Sequence, residues 1–330
     1  LKIVIDDIAR TDGDTPRHME EALRGRLGGD AVDIVDTAYA SSELRDRAFA
    51  EADILVTRRL NASHPLLPRL GLLQVPAAGA EMIDRARLPS RCQVATLHDH
   101  GPGAAEFVMA AMLDWSVRLS QMSASFRRGP WAHGSVARAP YRAELDGRTL
   151  SIVGFGAIGR AVGIRAKAFG MRIETLNRTL RADPIVDRGF APDERDAFLA
   201  RADFLLLACP LTDATRGLID ARALSCMKRS AFLINIARAD VTVEEDIYRA
   251  LSERLIAGAA LDVWWRYPSA EEPERRPSRF AFHSLANVVM TPHVATWSES
   301  LPGRRLAEIA RNIDAYRRSL DQRASPSRIG

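Results

Sequence analysis

The sequence predicts an α/β protein built on doubly wound parallel sheets, and three observations carry that prediction. Short apolar runs alternate with amphipathic stretches from end to end, the β-α-β pattern of a parallel sheet covered by helices. A glycine-rich turn, Gly154-Phe155-Gly156-Ala157-Ile158-Gly159, directly follows one such run and opens a helical stretch. The chain has 330 residues, which at about 150 per domain makes roughly two domains.

The elements follow in order. Strands are expected at Lys2–Asp6, Val32–Asp36, Ile54–Thr57, Leu72–Pro76 and Val94–Thr96, with helices near His18–Leu27 and Leu44–Ala50 between them. A longer helix begins near Gly103 and runs through Leu113, its small and apolar residues spaced for packing on at least two sides. From Arg127 to Gly147 the chain is polar, turn-rich and weakly periodic, and reads as a connector. A second alternating series follows, with strands at Thr149–Val153, Arg172–Leu176, Phe204–Ala208, Ala231–Ile236, Gly258–Leu261 and Val288–Met290. Helices are expected at Ile158–Ala168, Asp220–Met227, Glu244–Glu253 and Ser298–Arg317, and a frayed tail from Ser319. Arg266–Ser284, proline-rich and charged, is an irregular excursion of unusual length.

Composition removes several function classes. Basic residues number 46 against 42 acidic ones, and only Lys2, Lys167 and Lys228 are lysines. The arginines alternate with Asp and Glu along most of the chain, as on a solvated surface, and do not gather into a nucleic-acid footprint. Cys92, Cys209 and Cys226 are odd in number and widely spaced, with no disulfide framework and no zinc pattern. No apolar run approaches the ~18 residues of a membrane span. The opening residues read as a first strand and not as a signal peptide, so a reducing cytoplasm is the expected compartment.

Strand, GxGxxG and helix together point to a dinucleotide site. Gly154 permits the tight turn, Gly156 lets backbone approach a pyrophosphate, and Gly159 lets helix and strand pack closely. Ala157 and Ile158 lie at the helix N-terminus, where free N–H groups and the positive dipole end favour an anion. The ribose selector belongs at the end of the next strand, where an NAD site wants Asp or Glu. Asn177 stands there, 18 residues after Gly159. It brings no charge to repel a 2′-phosphate, and Arg178 and Thr179 can donate to one, which favours NADP. The alternative is a neutral variant of an NAD site beside an exposed arginine.

Several motifs now stand in one order. They are Pro76-Ala77-Ala78-Gly79-Ala80-Glu81-Met82-Ile83-Asp84, Gly103-Ala104-Ala105-Glu106, the Gly154–Gly159 turn and Ala208-Cys209-Pro210-Leu211-Thr212. Ile234-Asn235-Ile236-Ala237-Arg238, Ala260-Leu261-Asp262-Val263 and Thr291-Pro292-His293 complete the series. The sequence thereby resembles the D-isomer-specific 2-hydroxyacid dehydrogenase family over nearly its whole length. The resemblance implies two Rossmann-like domains with a cleft between them and a homodimer. A substrate domain of residues 1–100 and 297–330 would carry an inserted cofactor domain of residues 101–296. It also implies that backbone N–H groups of Ala78 and Gly79 bind the substrate carboxylate. Asp262 would bond the nicotinamide carboxamide, and Ala208, Cys209 and Pro210 would line the dinucleotide cleft. Ile236, Ala237, Arg238 and His293 would border the cofactor as well.

The expected chemistry is hydride transfer between NAD(P)H and a small 2-oxo or 2-hydroxy acid, glyoxylate and hydroxypyruvate being plausible sizes. Arg238, just past a strand, offers a planar fork of donors for the carboxylate and carbonyl oxygen. His293, past another, offers a proton near neutral pH. Two departures from the family pattern matter. Arg238 is followed by Ala239 where a glycine is usual, which restrains the backbone. Tyr267 stands where the family places a Glu to pair with the histidine, and it offers no charge. An uncharged partner lowers the histidine's proton affinity, so reduction should favour acidic conditions. Glu271 or Glu272 folding back onto His293 is the alternative.

Other candidates are weaker. His98 and His100 flank Asp99, but no third ligand at metal spacing appears, so no metal is expected and His100 is placed near substrate or a hinge. Trp297, expected to begin the last helix, walls the substrate pocket or packs at a domain interface. Trp264 and Trp265 contact the active site or a dimer partner, and Arg127, Arg128 and Trp131 help to seal the dimer. Two other readings remain open: a formate-dehydrogenase-like oxidation with a neutral partner for His293, and a nucleotide-binding regulator with impaired catalysis.

Overall fold

The computed structural model describes residues 1–6, 16–28, 33–37, 40–129, 141–269 and 271–324. The chain divides into two compact units, Leu1–His100 with Ser298–Gly330, and Gly101–Trp297. Trp131 lies outside the described residues.

The first unit contains β1 (Lys2–Ile5), α1 (Pro16–Leu27), β2 (Asp33–Asp36), α2 (Ser42–Glu51), β3 (Ile54–Val56), β4 (Leu72–Gln74) and β5 (Gln93–Ala95). The strands form one parallel sheet in the order β2-β1-β3-β4-β5. Alternate side chains of β1 serve opposite faces, as a period of two requires. Ile3 and Ile5 pack with Leu23 of α1 and with Ile309 and Ile313 from the far end of the chain. Val4 packs on the other face with Phe49 of α2, Leu55 and Leu73. The C-terminal helix is tied on by polar contacts too. Asn312 Nδ2 donates to Gln74 Oε1 at 2.9 Å, and the Glu308 carboxylate accepts the His98 and Asp99 N–H groups at 2.8 and 3.0 Å.

The second unit contains α3 (Gly101–Val117), α4 (Leu119–Arg128), β6 (Thr149–Val153), α5 (Ala157–Ala168), β7 (Arg172–Leu176), β8 (Arg188–Phe190) and α6 (Arg195–Leu199). It continues with β9 (Phe204–Leu207), α7 (Ala221–Cys226), β10 (Phe232–Asn235), α8 (Glu244–Ser252), β11 (Gly258–Leu261) and β12 (Val288–Met290). Its parallel sheet has the order β12-β11-β10-β9-β6-β7-β8. Leu150 and Ile152 of β6 pack with Val108, Met112 and Val162 from α3 and α5. Val153 packs on the other face with Phe198, Leu224 and Leu251 from α6, α7 and α8. Each sheet is therefore wound on both faces. The order reverses between β6 and β9, and the crevice outside the strand ends at such a reversal is where ligands bind in sheets of this kind.

The last helix, α9 (Leu301–Ala324), starts later and runs longer than expected. Trp297 does not begin it: its N–H donates to Val294 O at 2.8 Å in a turn that belongs to the larger unit. Residues 319–324, expected as frayed tail, are helical. β8, α6 and α4 were not anticipated. β8 is Arg-Gly-Phe with only Phe190 buried, so it shows no apolar run, and α6 is five residues long. α4 is set off from α3 by Arg118 at φ 57°, a left-handed break that no glycine announces.

Candidate functional site

The candidate residues of the second unit sit at the carboxyl ends of adjacent strands. The glycine turn follows β6, Asn177 follows β7, Ala208–Pro210 follow β9 and Arg238 follows β10. Asp262 and Tyr267 follow β11, and His293 follows β12.

At β6 the turn is built by exclusion. Gly154 has φ 90°, and a Cβ there would lie 2.7 Å from Cys209 Cα and 2.8 Å from Ala208 O. A Cβ on Gly159 would lie 2.5 Å from Gly154 O. At Gly156, by contrast, a Cβ would meet nothing within 4 Å, so the space above the turn is open. Gly156 caps α5 without a side-chain hydrogen bond. An uncapped helix start facing open space suits a pyrophosphate, so these residues fit the dinucleotide. Asn177 Oδ1 accepts the Phe155 N–H at 2.7 Å, so the ribose-selector residue also braces the turn. Arg178 and Thr179 are exposed beside it. Cys209 is buried, which pushes its thiol up to about 11, and it serves as packing. A cavity of about 500 Å³ opens nearby at the β7–β8 edge, lined by Leu180, Arg181, Pro184 and Arg188 among others, remote from β12.

At the other end of the sheet, Tyr267 and His293 meet. The Tyr267 hydroxyl stands 2.8 Å from His293 Nδ1 and also accepts the Trp264 N–H at 3.3 Å. Partial burial of this half-exposed side chain holds the phenol above its ordinary range, opposed by the Trp264 N–H and by the charge of Arg238 nearby. The alternative partners are occupied elsewhere: Glu271 bonds to Ser269, and Glu272 pairs with Arg275 at 3.1 Å. His293 has φ 62°, a strained conformation for a residue with a Cβ, and its surroundings impose it. Asp262, only 1% exposed, accepts Thr291 Oγ1–H at 2.6 Å and the N–H groups of Val294 and Ala295 at 2.8 Å each. The carboxylate expected at the nicotinamide carboxamide thus fastens the histidine loop. The Trp264 indole N–H donates to Thr291 O at 2.8 Å and braces the same loop.

The long excursion after β11 is anchored, and it presents Tyr267. Trp265 stacks on Phe282, with ring centroids 5.7 Å apart. Ser278 Oγ donates to Glu244 Oε1 at 2.7 Å, and Arg279 pairs with Glu244 at 3.2 Å. Glu244 opens α8, so the sheet's own helix holds the loop. Trp264 and Trp265 are therefore internal supports of the site. Arg238 is half-buried, with Nη1 donating to Ala237 O at 2.7 Å. Ala239 costs the backbone nothing, because its φ is not positive, and Asp240 pairs with Arg216 at 2.7 Å.

The remaining candidates belong to the first unit or to the turn before it. Ala78 is exposed and Gly79 half-buried in the bend beyond β4. His100 is 5% exposed, and burial first, then Arg305, brings it down to about 4. It is a neutral, buried histidine and not an open substrate ligand. Trp297 is 52% exposed. Among the described residues there is no cluster able to hold a metal and no helix long and apolar enough to cross a membrane. Sequence reasoning missed the bracing roles of Trp264 and Thr291. Twenty-nine residues separate Thr291 from Asp262, and no local pattern joins them.

Comparison with known proteins agrees with this geometry. Residues 109–295 match the model of the D-isomer specific 2-hydroxyacid dehydrogenase, NAD binding domain. A glyoxylate reductase of Thermococcus gammatolerans is 35% identical over 257 residues, 76% of this chain and 74% of the relative. The NADPH-dependent glyoxylate/hydroxypyruvate reductase of Sinorhizobium meliloti, solved with NADP and sulfate, superposes with TM-score 0.76 at 26% identity, covering 97% of this chain and 96% of that one. An acyclic imino acid reductase solved with NADPH and D-Arg gives TM-score 0.75 at 22% identity over 97% and 98% of the two chains, a likeness of fold. The chain belongs to the D-isomer specific 2-hydroxyacid dehydrogenase family, and is an NAD(P)-dependent oxidoreductase whose dinucleotide-binding domain lies in its second unit.

Proposed function

We propose that the protein reduces small 2-oxo acids of the glyoxylate and hydroxypyruvate class, with NADPH as the preferred coenzyme. The carrying observation is that Arg238, Tyr267 and His293 stand at the carboxyl ends of three adjacent strands, in the same sheet as the glycine turn. NADPH, when bound, supplies the hydride. Arg238 holds the substrate carboxylate and polarises the carbonyl through its planar fork. His293 faces the carbonyl oxygen and gives it a proton. Tyr267 orients the imidazole through Nδ1, and Asp262 keeps the histidine loop in its left-handed turn. In the first unit, the bend at Ala78 and Gly79 is read as a loop whose backbone N–H groups bind a carboxylate. Asn177, Arg178 and Thr179 make the adenosine end neutral to basic, which suits a 2′-phosphate.

Residues 1–100 with 298–330 are read as the substrate domain. A homodimer is part of the reading, since α4 exposes Leu119, Met122 and Phe126 along one face. So is a cytoplasmic setting, in keeping with three free cysteines. The test is oxidation of NADPH and NADH over a panel of 2-oxo acids, with formate and NADP as a further arm. Turnover of glyoxylate or hydroxypyruvate is expected. Activity confined to formate, or dinucleotide binding without turnover, would replace this reading with a formate oxidase or a regulator.

A further inference from the structure

Tyr267 stands where a carboxylate would stabilise a charged imidazolium, and a phenol cannot do that. What it has instead is a proton, and His293 Nδ1 is an acceptor within its reach. The hydroxyl oxygen accepts the Trp264 N–H at 3.3 Å, and its other partner is His293 Nδ1 at 2.8 Å. A phenol O–H is a better hydrogen-bond donor than the N–H of a neutral imidazole, and an imidazole nitrogen is a better acceptor than a phenol oxygen, so the favoured arrangement has the hydroxyl donating and Nδ1 accepting. A neutral imidazole whose Nδ1 accepts carries its own proton on Nε2. His293 at rest is then a neutral ring with a donor, not a base, on the side away from Tyr267.

We propose that Tyr267 and His293 form a two-step proton relay, in which Tyr267 is the source of the proton that His293 delivers to the substrate. The proposal rests on the 2-oxo acid reductase reading above. As hydride arrives at C2, the C=O bonding pair moves onto oxygen. That oxygen takes the Nε2 proton while Nδ1 takes the phenol proton. The imidazole stays neutral and only changes tautomer, and the negative charge ends on the Tyr267 oxygen as a phenolate. The 2-oxo acid has become a 2-hydroxy acid, and nothing but the hydride and one proton has been consumed.

Burial of the phenol opposes that end state, and two polar neighbours favour it. The Trp264 N–H already donates to the oxygen that would carry the charge, and Arg238 acts on the phenol in the direction that favours ionisation. The buried Asp262 carboxylate acts the other way, but its charge is held by Thr291, Val294 and Ala295. Among the described residues, His293, Arg238 and Asp262 are the charged or titratable groups that bear on the hydroxyl. Tyr267 is 45% exposed, so water can return its proton between turnovers. The alkoxide of a 2-hydroxy acid is far more basic than a phenolate, which makes the transfer downhill. In this arrangement reduction does not depend on a protonated histidine, and the acid-favoured profile expected from a chargeless partner does not apply.

The experiment is the pH profile of kcat for NADPH-dependent glyoxylate reduction between pH 5 and 10.5, with Tyr267→Phe beside the wild type. A proton inventory in mixed H₂O and D₂O, and NADPH binding by fluorescence, accompany it. The wild type should hold its rate well beyond the histidine range, with a curved inventory showing two protons in flight. Tyr267→Phe should lose about 100-fold at pH 9, within the span of general acid catalysis, and much less near pH 5.5, where an imidazolium supplies the proton itself. Its inventory should be linear. A wild-type rate that falls through the histidine range, or a Tyr267→Phe loss equal at every pH, would overturn the relay and leave the reductase reading standing. NADPH binding with no glyoxylate or hydroxypyruvate turnover would overturn both.

Discussion

The buried carboxylate of Asp262 holds Thr291 by a 2.6 Å hydrogen bond, and with two further N–H groups of the same loop it sets the backbone on which His293 stands. Asp262→Asn keeps the shape but replaces one acceptor oxygen with a donor facing donors. The expected cost is about 2–4 kcal/mol of stability, because a buried charge-assisted network is broken. The rate should fall more steeply than NADPH affinity, since the loop carries the proton donor and the glycine turn is untouched. Urea unfolding, with kcat and Kd measured side by side, checks both parts.

Two glycines of one turn should respond in opposite ways. Gly154→Ala puts a Cβ at φ 90° within 2.8 Å of the chain at Ala208 and Cys209, and should cost about 2–4 kcal/mol in folding. Gly156→Ala has φ −88° and meets nothing within 4 Å, so its stability should stay within about 0.5 kcal/mol of wild type. Its methyl group would nevertheless occupy the space left open for a pyrophosphate. Dinucleotide affinity is expected to weaken about tenfold or more, a loss of roughly 1.4 kcal/mol. Thermal melts paired with fluorescence titration separate the two outcomes.

Asn177→Asp keeps the oxygen that accepts the Phe155 N–H, so the turn should remain braced. It adds a charge that repels a 2′-phosphate and accepts from ribose hydroxyls. The ratio of NADH to NADPH affinity should rise by about tenfold or more, the equivalent of one unit charge at a partly solvated site. Equal affinities in wild type and variant would remove Asn177 from the specificity argument.

His100 makes the fold sensitive to mild acid. Its folded value of about 4 lies below the unfolded value near 6.5, with burial as the main cause and Arg305 next; Glu308 and Asp99 oppose them. The unfolded chain therefore binds the extra proton first as pH falls. Stability is whole above about pH 6.5 and declines between 6.5 and 4, by roughly 3 kcal/mol in all from this one group. His100→Leu should flatten that part of the stability-versus-pH curve, read from urea midpoints at pH 7 and pH 5.

Much of the architecture is legible in the sequence because its central strands are buried on both faces. Runs such as Phe204–Leu207 and Phe232–Asn235 declare themselves without any partner. β8 and α6 do not, since β8 buries only Phe190 of its three residues and α6, at five residues, repeats its helical period barely once. Of the site, Gly154, Gly156 and Gly159 are local motifs with local reasons, and they were readable. The bracing of the Thr291–Ala295 loop by Asp262 was not, because hydrogen bonds between two strand ends leave no trace in spacing. Nor was the fate of His100, whose charge is suppressed first by burial and then by Arg305 of α9, some two hundred positions away.

By itself the sequence determined that two parallel sheets would form, that one would present a dinucleotide turn, and that Arg238 and His293 would stand at strand ends. Those outcomes follow from periodicity and from residues acting on their neighbours. Tertiary structure decided which of Tyr267, Glu271 and Glu272 meets His293, because that depends on how an anchored loop returns over α8 and not on composition. It also decided that the Tyr267 hydroxyl meets the imidazole, since His293 lies beyond β12 and comes beside the segment after β11 only once β11 and β12 are paired.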